Sequence, residues 1–200
     1  MASNQDIIRK YATRYKDTII TLKREGAFAS DCAFNDFPRG CCGDACDLLA
    51  KHLLFKGIDT LYVLGDFDGK SHAWLVVKDS RITPPTKITI HVPVNSNQEW
   101  GNVLFSRNDD YEEMISVEDV VYTETNLVDG LIVDITADQF GGPSVYVGYM
   151  NDFYKMFEFE KARDYEGLRS GRLVRIYNMI GDFLDCQKEL KEKIADAINL

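Results

Sequence analysis

Residues 60–77, TLYVLGDFDGKSHAWLVV, constrain the fold of this chain most. TLYVLG (60–65) reads as a short buried strand and HAWLVV (72–77) as the strand that returns beside it. Between them GDFDGKS supplies the glycines and aspartates of a hairpin turn. Antiparallel sheet is therefore expected at the centre of the chain, and the rest of the sequence must say what accompanies it.

Helical spacing appears on both sides of the hairpin. Ile7, Ile8, Tyr11, Tyr15, Ile19 and Leu22 form one apolar face over about 5–24, and Gly26 ends it. A loop rich in turn formers, DCAFNDFPRG, follows. In the next helix Ala45, Leu48, Leu49, His52 and Leu53 make one apolar stripe, Asp44 suits the first turn, and Gly57 is the stop. Helical spacing returns over about 168–198 through Leu173, Ile176, Tyr177, Ile180, Leu184, Leu190 and Ile194, with a kink or break expected at Gly181.

KITIHVPV (87–94), LIVDITADQF (131–140) and part of GGPSVYVGYM (141–150) read as further strands, and SVEDVVYTE as a strand or a short helix. This order predicts one α+β domain over 1–200 with a mainly antiparallel sheet and flanking N- and C-terminal helices. Its core spans about 27–150, with an insertion at about 79–130.

Two hundred residues with 45% hydrophobic and 28% charged content can bury a core without disulfides or metals. A formal charge of −9 argues against nucleic acid and anionic membrane as partners, because both need basic patches. The N-terminal residues lack the apolar core of a signal peptide, and no stretch is long and apolar enough to span a bilayer. Five cysteines, an odd number, fit a reduced cytoplasmic chain better than a disulfide framework. Secretion by a route without a leader is the alternative.

The cysteines cluster in FPRGCCGDACDLLAKHLL (37–54), where Cys41 and Cys42 meet the start of a helix. Helix N-termini carry unpaired N–H groups and a dipole that favours negative charge, so a thiol there loses its proton more readily. Gly43 would let a substrate approach the backbone, and the Cys42 N–H could serve as an oxyanion donor. A thiolate of this kind needs a base. His52 sits on an apolar stripe and reads as packed core, and His91 has no patterned company. His72 opens a strand just after a glycine-containing turn. Asp134 interrupts the apolar run LIVDIT, a costly place for a charge that has no strong partner. Cys42, His72 and Asp134 together account for all three oddities.

GCCGDACDLLAKHLLFKGI, HAWLVV and IVDITADQF, in that order, resemble the core of the transglutaminase-like branch of the papain-like cysteine hydrolases. The resemblance implies a papain-like, transglutaminase-like fold in which Cys42 is the nucleophile, His72 its base and Asp134 the residue that orients the base. Trp74 then corresponds to the aromatic of the family's HAW element. The matched residues are about 37–78 and 130–141. The long stretch between the His and Asp strands departs from the family pattern, as does Asp36, which stands where papain has a glutamine ahead of its cysteine. Asn35 and Gln139 are the available amides for a second oxyanion donor; with Gly43 and Trp74 they form the substrate-side candidates.

The expected function is a cysteine hydrolase or acyltransferase acting on a peptide or isopeptide-like amide through a thioester, with no cofactor and no metal. Its partner is a protein or peptide substrate. Glutamine deamidation or transglutamination by the same residues is one alternative, and a catalytically silent partner-binding member of the fold is another. Cys41 is the rival nucleophile, and Cys46 and Cys186 read as structural. A zinc site from Cys32, Cys41, Cys42 and Cys46 lacks paired C-x-x-C units. Asp134 could instead point to water at a strand end. Asp138 and Gln139 could cap the next turn or line the cleft. The acidic run 109–113 reads as a solvated loop, and Ile176, Ile180 and Leu184 as a packing face with a dimer contact as the second reading.

Overall fold

The computed structural model describes residues 3–79, 82, 86–93, 114–127 and 129–198. Helix α1 (Asn4–Arg24) starts at a capping box, with Ser3 and Asp6 each satisfying the other's backbone N–H. It buries Ile8, Ala12, Tyr15, Ile19 and Leu22 on one side. A short helix α2 (Cys32–Asn35), capped by Asp31, lies within what the sequence presents as loop. Helix α3 (Cys42–Phe55) follows, then the hairpin β1 (Thr60–Phe67) and β2 (Lys70–Val77), whose register pairs Thr60 with Val77 and Phe67 with Lys70.

The insertion contributes β3 (Thr86–Pro93) and β4 (Met114–Val121), paired antiparallel as a separate two-stranded sheet, and a short helix α4 (Glu124–Leu127). SVEDVV is thus strand. His91 lies on β3, outside the residues whose side chains are described, and the acidic run 109–113 lies outside the described residues altogether.

The chain re-enters the main sheet at β5 (Ile132–Asp134) and β6 (Tyr146–Gly148), then adds β7 (Glu158–Asp164) before the long helix α5 (Gly171–Ile198). The five-stranded sheet has the order β6-β5-β2-β1-β7, and every neighbouring pair is antiparallel. The protein is α+β.

Alternation along the hairpin divides its side chains between two apolar clusters. Ala73, Leu75 and Val77 join α1, α3 and α5 in the larger one, so α3 is sandwiched between sheet and outer helices. Leu61, Val63, Trp74 and Val76 join Ile132, Tyr154 and Phe157 in the second.

Three further elements differ from the sequence expectation. The strand expected over 131–140 stops at Asp134, because that carboxylate accepts the Thr136 N–H at 2.7 Å and turns the chain into a 3₁₀ segment, Ala137–Phe140. Strand β7, EFEKARD, was not expected at all. It is an edge strand paired only with β1, and edges carry charge in place of the apolar alternation that marks an inner strand. Helix α5 runs unbroken through Gly181. One half-buried glycine costs a helix only about 1 kcal/mol, and burial of Ile180 and Leu184 opposes that cost.

Candidate functional site

Helix α3 begins without a side-chain cap: Cys41 occupies the N-cap position and makes no capping hydrogen bond. The first-turn N–H groups are therefore free to meet another acceptor. Gly40, at φ +65°, is in the left-handed region and delivers the chain into this start.

The two adjacent cysteines have opposite fates. Cys41 is 2% exposed and packs in the larger core cluster. Burial pushes its thiol up to about 12, helped by the nearby charges of Cys42, Asp44, Asp36 and Asp31. Cys42, one residue on, is only partly buried. Burial again works against its thiolate, but the His72 side chain, the backbone N–H groups of Ala73 and Gly43, and the charge of His72 outweigh it. The Cys42 pKa is held below that of an ordinary thiol. Cys46, one turn further along, is fully packed and its thiol is pushed far up by desolvation.

His72 is completely buried, and its Nε2 lies 2.7 Å from Asp134 Oδ2. An ionised carboxylate only accepts, so Nε2 carries the donated proton. Nδ1 has no hydrogen-bond partner among the described residues, while the ring interacts with the Cys42 thiol. Burial alone would lower the His72 pKa. The hydrogen bond to Asp134, the interaction with the Cys42 thiol and the charges of both override it and raise the imidazole to about 9. A lowered thiol beside a raised imidazole favours the thiolate–imidazolium pair.

Asp134 is 1% exposed. Its Oδ1 accepts the Thr136 N–H at 2.7 Å and the Thr136 hydroxyl at 3.0 Å. Its Oδ2 accepts His72 Nε2 and the Tyr154 hydroxyl, the latter at 3.0 Å. The buried charge is thus satisfied on both oxygens. Around the imidazole, the rings of Phe140, Phe157 and Trp74 lie 4.9, 5.1 and 5.7 Å away and exclude water from the His72–Asp134 contact.

The remaining sequence candidates are scattered. Asn35 is exposed on α2, and no backbone hydrogen bond joins it to Cys42 among the described residues. Gln139 is half-buried on the 3₁₀ segment, and its Nε2 is a buried donor without a partner. Trp74 is 3% exposed in the second core cluster, behind His72 rather than open to a substrate. At Gly43 a Cβ would stand 3.1 Å from the Tyr62 hydroxyl, so that hydroxyl lies close to the backbone there. Asp138 pairs with the buried Lys16, at 2.6 Å. His52 packs on Tyr15 with ring centroids 4.8 Å apart, in the last turn of α3 and at the opposite end of the helix from Cys42.

Tyr154, Phe140 and Phe157 are the members of this site that sequence reasoning missed. For Tyr154 and Phe157 the signal is faint, an aromatic-dense FYKMF at 153–157 with nothing to connect it to Asp134, and for Phe140 it is only the last residue of LIVDITADQF. All five cysteines are free, and among the described residues no group of three or more metal-ligating side chains converges. No helix among them is long and apolar enough to cross a membrane.

Comparison of the chain with protein-family models, with curated proteins and with solved structures finds no match.

Proposed function

We propose that this protein is a cysteine-dependent hydrolase or acyltransferase of amide bonds with a papain-like, transglutaminase-like core. One observation carries the reading. A partly exposed thiol at an uncapped helix start has a depressed pKa and faces a buried imidazole held on its far side by a fully hydrogen-bonded carboxylate.

In this reading the Cys42 thiolate attacks the carbonyl carbon and the C=O pair moves onto oxygen, where the Cys42 N–H stabilises it. As the tetrahedral species collapses, the C–N bond breaks and the His72 imidazolium gives its Nδ1 proton to the departing amine. A thioester remains. Water or an amine then adds to it, His72 Nδ1 takes the proton of that nucleophile, and the acid or new amide leaves as the thiol is regenerated. Asp134 keeps Nε2 protonated throughout, so the free nitrogen always faces sulfur. No step needs a cofactor.

Brief exposure to 4-nitrophenyl acetate, followed by peptide mass spectrometry, tests this directly. An acetyl group on the Cys42 peptide, absent in His72→Ala and in Cys42→Ala, is the expected result. Acetylation at Cys42 no faster than at the exposed Cys32 or Cys186 would overturn it. A fluorescent primary amine in the same mixture separates aminolysis from hydrolysis: incorporation into a glutamine-containing acceptor protein marks transamidation.

A further inference from the structure

A cavity of about 390 Å³ opens where α1, α3 and α5 meet, well away from Cys42. Four basic side chains line it, Arg14, Lys51, Lys56 and Lys188, against one acid, Asp185, among the described residues. In a chain of net charge −9 this is a local reversal of sign. Tyr11, His52 and Tyr177 supply aromatic walls.

Arg14, Lys51 and Lys56 differ from several cations elsewhere in the fold. Lys16, Arg163 and Arg172 each meet a carboxylate, on Asp138, Asp47 and Asp31 respectively. Arg14 donates Nη2 to the Leu184 carbonyl at 3.0 Å, yet its Nε is buried with no partner, and no carboxylate pairs with it among the described residues. Lys51 rests over the Tyr177 ring at 4.4 Å, and Lys56 lies between Phe55 and Tyr11 at 5.1 and 5.9 Å. Burial, with Lys56 and Arg14 nearby, takes His52 down to about 4, so it lines the cleft as a neutral ring.

A plainer account covers part of this. Cations near the end of α3 complement its dipole, which suits Lys51 and Lys56. It does not reach Arg14, which sits on α1 and carries a buried unsatisfied N–H.

We propose that this cleft binds a nucleoside phosphate. Its phosphates take up the charge of Arg14, Lys51 and Lys56, and its base lies against the rings of Tyr11 and Tyr177 that the lysines now cover. The volume falls within the usual range of small-molecule sites, which begins at about 300 Å³. Nothing in this assignment depends on the chemistry at Cys42.

Calorimetric titration of the full chain with ADP tests it, with pyrophosphate and adenosine as comparators. ADP should bind saturably, and each comparator should bind more weakly by at least about tenfold. Lys51→Gln and Lys56→Gln, both outside the core, should keep the wild-type melting temperature and weaken ADP by about tenfold each. Absence of saturable ADP binding at millimolar concentration overturns the proposal, and so does unchanged affinity in both variants. Pyrophosphate binding as tightly as ADP removes the ring from it and leaves a bare anion site, which also counts against the assignment.

Discussion

Tyr154 donates its hydroxyl to Asp134 Oδ2, at 3.0 Å, and that oxygen also receives Nε2 of His72 at 2.7 Å. The two donors share one acceptor in a space with no water-exposed edge, since His72, Asp134 and Tyr154 are all 1% exposed or less. What Tyr154 takes from that oxygen is unavailable to hold the imidazolium.

Removing that competitor should therefore strengthen the pull on His72. Tyr154→Phe is expected to move the alkaline limb of the acylation rate to higher pH than in the wild type, whose imidazole titrates at about 9. Stability should fall by about 1–2 kcal/mol, the scale of one buried hydrogen bond. The pH dependence of 4-nitrophenyl acetate acylation checks the first part and urea unfolding the second. An alkaline limb that stays in place would show that Tyr154 only packs.

Asp134→Asn tests the opposite direction. The amide keeps an acceptor for Thr136 or Tyr154 but loses the charge that raises His72, so the alkaline limb should fall from about 9 toward the ordinary imidazole range. Acylation at neutral pH should drop by more than about tenfold, because the Cys42 thiolate loses its imidazolium partner.

The same shift makes His72 a source of pH-dependent stability. The folded imidazole, at about 9, holds its proton more tightly than the unfolded one at 6.5. Its contribution is thus complete below about pH 6.5 and is lost as pH rises through about 9. The difference in unfolding free energy between wild type and His72→Gln should accordingly shrink between about pH 7 and pH 10. A constant difference across that range would contradict the raised imidazole.

Iodoacetamide at mildly acidic pH should discriminate the neighbouring thiols. Cys42 is expected to label rapidly, with a rate that falls in His72→Ala, while Cys41, buried and at about 12, stays unmodified until the chain unfolds. Peptide mapping of the native protein reads this out, and labelling of Cys41 at a comparable rate would reverse the assignment of the nucleophile.

Lys16→Met probes the support behind the site. Lys16 is 1% exposed and ties α1 to Asp138 at 2.6 Å and to the Ser144 carbonyl at 2.7 Å, flanking the segment that sets Phe140 against His72. Asp138 Oδ1 already lacks a partner, so the substitution leaves both its oxygens uncompensated. Because Asp138 is partly exposed, destabilisation near the low end for a broken buried pair, about 3 kcal/mol, is expected in urea unfolding. Lys16→Met with Asp138→Leu should recover much of it.

Local signals in the chain determined a good deal of this protein. The periodicity of Ile8, Tyr15 and Ile19, the stripe Leu48, Leu49 and Leu53, and the alternation either side of GDFDGKS specify helices and a hairpin because each repeats over adjacent residues. A glycine-flanked cysteine pair at a helix start, a histidine opening a strand and an aspartate inside an apolar run were likewise visible as local anomalies. The tertiary structure alone decided the relations between them. Burial of Cys41 and partial exposure of Cys42 depend on which way α3 faces the sheet, a rotation of one residue that no composition encodes. The four hydrogen bonds on Asp134 come from positions 72, 136 and 154, and the edge strand β7 is recognisable only beside β1. Hydrogen bonding and desolvation act over a few ångströms of space, whereas sequence patterns report only on neighbours along the chain.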